Sequence, residues 1–134
     1  RLIAWEKEKL TQKQIDEGVP DWLRPGYEFY NHGIEVHPKS AHNPLNFIKK
    51  HCKKSDFVVF KLDIDSKHFE LDLIRQLFLD RKAMDLIDDF YYEDHFNNNA
   101  MRIHGWLRYS NTLEEYYNVV IAQRQRGLRM HYWP

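Results

Sequence analysis

The stretch VVFKLDIDSKHFELDLIRQLFLD, residues 58–80, decides how this chain is read. An apolar run ends in Lys61-Leu62-Asp63-Ile64-Asp65, and an amphipathic pattern begins at once. A continuous apolar run of this kind suits a strand covered on both faces. The residues after it put Phe69, Leu73, Ile74, Leu77 and Phe78 on one helical stripe, with Asp65 or Ser66 as the cap. A carboxylate is costly inside a strand and tolerable at its wet mouth, so the two aspartates mark the end of the strand.

The same alternation runs outward in both directions. RLIAWE reads as a short strand ending in Glu6, and KEKLTQKQIDEG as a weak helix stopped by Gly18 and Pro20. YEFYNHGIEVH reads as a strand broken at Asn31–Gly33. Asn43-Pro44 starts a helix carrying Leu45, Phe47, Ile48 and Cys52. MDLIDDFYYEDHF is another strand ending in charge. In TLEEYYNVVIAQRQRG, Thr112 and Glu115 form a capping box, and Leu113, Tyr116, Tyr117, Val120 and Ile121 form the expected buried stripe. Gly127 sits where a left-handed C-terminal cap belongs, and LRMHYWP is a final strand. Strands alternating with helices call for an α/β fold: a Rossmann-like, mainly parallel sheet with helices on both faces. Ligands of such sheets bind beyond the carboxyl ends of the strands, where Glu6, Asp63, Asp65, Glu93 and His95 all fall.

Composition narrows the function. The chain has 134 residues, enough for one domain with a real core. Twenty basic residues balance twenty acidic ones, so no bulk charge draws it to nucleic acid or anionic lipid. No apolar run approaches the roughly 20 residues of a membrane span, so no membrane insertion is expected. Cys52 is alone, which excludes an internal disulfide and a cysteine-based zinc site. An intracellular or organellar setting fits better than secretion. The serines lack a nucleophile elbow and no P-loop is present. His32, His37, His42, His51, His68, His104 and His131 follow no repeated ligand spacing.

Three segments, DFVVFKLDIDSKHFE, LIDDFYYEDHF and QRQRGLRMHYW, resemble in order and spacing the later part of FkbM-type S-adenosylmethionine-dependent methyltransferases. The resemblance covers residues 1–6 and 27–134. It implies that Glu6 holds the ribose of S-adenosylmethionine, and that Lys61, Asp63 and Asp65 match the family's lysine-aspartate strand. Glu93 and His95 match its E-x-H strand. Lys61 and Asp65 are thereby expected on the cofactor side. Asp63, His95 and Glu93 are the expected catalytic groups, with Asp63 or His95 as base or orienting group. The chain departs from the family's acid-glycine pattern, with Ser66 and His68 in those places. It has five glycines and no G-x-G, so the glycine-rich cofactor loop is not among these residues. RLIAWE reads as a strand already under way, and the chain is expected to be a single methyltransferase-like domain without its first strand. That strand would lie in mid-sheet and is expected from upstream residues or from another chain.

Asp63 and Asp65 flank Ile64 and are expected on opposite faces, Asp63 toward the cleft and Asp65 onto the following helix. Three functions follow. The first is methyl transfer to an oxygen or nitrogen acceptor, small or polymeric, in the complete protein. The second is a non-catalytic, methyltransferase-derived subunit with protein partners in a larger assembly. The third is a DxD-type, metal-dependent glycosyltransferase-like site on Asp63 and Asp65. Under the first reading no metal is assigned to the site.

Overall fold

The computed structural model describes residues 1–93 and 112–133. The chain is α/β and forms two compact units, Arg1–Phe47 and Ile48–Pro134. Each has its own parallel sheet.

In the first unit, β1 (Leu2–Trp5) pairs in parallel with β2 (Tyr27–Tyr30), with Leu2 opposite Tyr27 and Trp5 opposite Tyr30. Two parallel strands need a crossover between them. It contains α1 (Gln12–Gly18) and a 3₁₀ turn at Arg24–Gly26. α1 starts at Thr11, whose hydroxyl accepts the Gln14 N–H while the Gln14 side chain accepts the Thr11 N–H. This capping box fixes a helix that buries no residue of its own. β2 ends at Tyr30, at the expected break over Asn31–Gly33, and the continuation expected to His37 is not a strand. α2 (Pro44–His51) begins as expected: the Asn43 side-chain oxygen accepts the Leu45 N–H at 2.9 Å, and Pro44 opens the first turn. Trp5 stacks on Tyr30 with centroids 5.5 Å apart, and Phe47 meets Trp5 edge-on at 5.4 Å. These aromatic pairs form the packing centre of the unit.

In the second unit, β3 (Val59–Leu62), β4 (Asp89–Glu93) and β5 (Arg129–Trp133) form a parallel sheet in the order β3-β4-β5. The crossovers contain α3 (Lys67–Leu79), α4 (Arg81–Met84) and α5 (Leu113–Gln125). One face of the sheet carries Phe60, Leu62, Phe90, Tyr92 and Met130, of which the last four are buried. Leu73 and Leu77 of α3 are buried too, and full burial of such side chains stabilises by about 1.5–3 kcal/mol each. On the other face Val59 is 54% exposed and Lys61 is exposed, so β3 is not covered on both sides as its apolar run implied. Phe57 and Val59 alternate with Phe60 and Leu62, and only the second set reaches the core.

Two helix stripes also differ from expectation. In α3, Leu73, Ile74 and Leu77 are buried but Phe69 is 43% exposed, and Glu70 takes its place. In α5, Tyr116, Val120 and Gln123 are buried, whereas Leu113, Tyr117 and Ile121 are exposed. The i, i+4, i+7 row faces the sheet; the i, i+4, i+8 row beside it does not. Tyr116 adds a specific lock, its hydroxyl donating to the Tyr92 carbonyl at 3.1 Å and the His131 carbonyl at 3.3 Å. Gly127 closes α5 at φ +96°, as its position foretold. Among the described residues no helix is long and apolar enough to cross a membrane.

Candidate functional site

β3 and β4 run in register from Val59 opposite Asp89 to Leu62 opposite Tyr92. Asp63 is therefore the first residue past β3, level with the last residue of β4, Glu93. Glu93 in turn pairs in register with Trp133 at the end of β5. Parallel pairing thus lines up three strand ends along one rim, which is the physical origin of the site.

Asp63, Asp65 and Glu93 converge there, each offering a carboxylate oxygen within 4.8 Å of the others. The expected separation of Asp63 and Asp65 does not occur. Residues two apart share a face of an extended chain. The chain also leaves the strand at Asp65, whose φ of +52° is left-handed. Asp is one of the few side chains found there with any frequency, because its short polar group bonds locally. Of the two capping candidates, Ser66 occupies the cap position, with no side-chain hydrogen bond.

Lys61 organises the rim. Its ammonium lies 2.7 Å from Asp63 Oδ2 and 4.2 Å above the Trp133 ring. Glu93 stands beside this pair at the end of β4. Burial raises its carboxyl, and a hydrogen bond with Asp63 and the charges of Asp63, Asp65 and Glu70 push it further, to about 7. The group thus titrates near neutrality, while Asp63 faces an ammonium.

Two contributors escaped the reading of the sequence. Glu70, 2% exposed, accepts the Ile64 N–H at 3.1 Å and so fixes the turn between the two aspartates. The only local signal for it is an acid in the first turn of a helix, which normally reads as a surface partner of the helix dipole. Trp133 reads from sequence as core or interface, yet it is 40% exposed at the rim under Lys61.

Glu6 lies in the first unit, just past β1, and its N–H continues the ladder to the Tyr30 carbonyl. One carboxylate oxygen accepts the Glu8 N–H at 2.8 Å. Glu6 is the residue expected to hold the ribose of S-adenosylmethionine, and its strand belongs to a different sheet from the one that carries the rim. No glycine-rich loop among these residues fits the cofactor's methionine part. His95 lies outside the described residues. A cleft of ≈ 470 Å³ in the first unit, walled by Leu10, Ile15, Val19 and Phe29 among others, includes none of the expected site residues.

The carboxylate trio suits two kinds of chemistry. Oxygen ligands at this spacing match a hard divalent cation. A carboxyl group that titrates near neutrality matches proton transfer with a hydroxyl. No protein-family model, curated protein or solved structure matches this chain.

Proposed function

We propose that this chain is part of an S-adenosylmethionine-dependent methyltransferase acting on a hydroxyl acceptor at the carboxylate rim of its second unit. The observation that supports this reading is the convergence of Asp63, Asp65 and Glu93, beside Lys61, at the carboxyl ends of adjacent parallel strands. When bound, the cofactor supplies a methyl group on a sulfonium, an electrophile that needs only an oriented nucleophile in line with the breaking bond. Glu93, in its ionised form, would take the proton that the acceptor's hydroxyl loses on methylation. Its raised pKa makes it an effective base near neutral pH. Asp63, held by Lys61, accepts a hydrogen bond from the acceptor and orients it.

Calorimetry of the full chain with S-adenosylmethionine tests this reading. We expect saturable heat that Glu93→Gln preserves, with methyl transfer lost in that variant. Absence of both heat and thermal stabilisation in the unsubstituted protein would remove the proposal.

The carboxylate spacing also favours a second reading, a divalent-metal site of the kind used in nucleotide-sugar transfer. There Asp63, Asp65 and Glu93 would hold Mn²⁺ or Mg²⁺ against a diphosphate. A Mn²⁺-dependent thermal shift with a nucleotide sugar, abolished by Asp63→Asn, selects this reading over the first.

A further inference from the structure

The loop after β2 brings together two histidines that are ten positions apart in sequence. The Glu35 N–H donates to the His42 carbonyl at 3.1 Å, the His42 N–H to Ser40 Oγ at 2.9 Å, and Ser40 Oγ to Glu35 at 2.6 Å. The chain therefore folds back on itself, and the His42 ring meets the His32 ring with centroids 4.3 Å apart and planes at 76°. Gly33 lies close under Lys7, and a Cβ there would stand a tight 3.1 Å from Lys7 Cβ.

The hydrogen bonding of the pair decides its chemistry. His32 Nδ1 lies 2.9 Å from the Gly33 carbonyl oxygen. A carbonyl only accepts, so Nδ1 carries the proton, and in the neutral ring Nε2 is left with its lone pair. This is the orientation that a metal-binding imidazole takes when a backbone carbonyl holds its other nitrogen. Tyr30 packs edge-on against His32, with centroids 5.7 Å apart. His42 is exposed, and neither of its ring nitrogens has a hydrogen-bond partner among the described residues. Two imidazoles bound to one ion, with nitrogens about 2.0–2.1 Å from it, have centroids roughly 4.5–5 Å apart for right-angle to tetrahedral geometry. The observed centroid spacing of 4.3 Å lies just below that range.

We infer that His32 and His42 form a binding site for a divalent first-row transition ion, with water completing the coordination. Imidazole pairs favour copper(II), zinc and nickel over magnesium and calcium, with copper(II) the tightest. The site differs in ligand chemistry from the all-oxygen rim of the second unit, so its existence does not depend on the function proposed there.

The test is titration of the full chain with Cu²⁺ alone, read by electron paramagnetic resonance and calorimetry. We expect a stoichiometric site with superhyperfine structure from two nitrogens, weakened at least tenfold in His42→Ala and in His32→Ala. His37→Ala, on the same loop, leaves it intact. His42 is exposed, so its variant folds, and a circular dichroism spectrum like that of the parent protein verifies this. A nitrogen signal unchanged in His42→Ala, or no nitrogen-coordinated copper in the parent chain, overturns the inference.

Discussion

Glu93→Gln isolates the electrostatic cost of the rim. In the folded chain the Glu93 carboxyl is raised from 4.5 to about 7, first by burial and then by Asp63, Asp65 and Glu70. The sign follows from proton binding. Between those two values the folded state holds a proton that the unfolded state has released, so stability falls as pH rises through this window. A rise of that size, fully expressed, corresponds to about 3 kcal/mol. The rim is open to water, and solvent screening reduces this to roughly 1–2 kcal/mol. Glutamine keeps the shape of the protonated acid and cannot ionise. Glu93→Gln is therefore expected to be more stable than the parent protein by about 1–2 kcal/mol at pH 8, and nearly equal to it at pH 4.5. Urea unfolding at both pH values, followed by far-ultraviolet circular dichroism in the presence of a chelator, measures the difference. A variant no more stable at pH 8, or one equally stabilised at pH 4.5, would refute the claim that like charges crowd this site.

Other substitutions probe the elements that hold the rim in place. Asp65→Gly relieves a side chain at φ +52° and removes one of three crowded carboxylates; we expect a gain of about 1 kcal/mol in thermal unfolding, together with weaker Mn²⁺ binding. Tyr116→Phe removes the hydroxyl that bridges the Tyr92 and His131 carbonyls, and should cost about 1–2 kcal/mol in urea unfolding. Thr112→Ala breaks the capping box of α5 and should cost about 1 kcal/mol, with Thr112→Asn restoring most of it.

The parts of the fold that depend on neighbours in sequence were open to reading from the residues alone. Asn43-Pro44, the Thr112–Glu115 box and Gly127 each act within one turn of chain, and each does what its type and position require. The alternation of strands and helices likewise implied parallel pairing, and with it the placing of Asp63, Asp65 and Glu93 at strand ends. What depends on the third dimension was not open in this way. Leu113, Tyr117 and Ile121 form as good a stripe on paper as Tyr116, Val120 and Gln123, and only contact with β5 selects between them. Glu70 looks like a surface acid until the turn at Ile64 supplies its donor. The meeting of His32 with His42 depends on how a loop closes, which no spacing rule encodes.

Lys61 sits with its ammonium 4.2 Å from the centre of the Trp133 indole and 2.7 Å from Asp63. A charge on the face of an indole changes the energy of its excited state, so the colour of Trp133 emission registers where that ammonium stands. Anything that draws the lysine away, whether an arriving ion or an acceptor that claims Asp63, alters the light. With Trp5, Trp22 and Trp106 replaced by phenylalanine, the protein becomes its own optical gauge of occupancy, without label or coupled reaction.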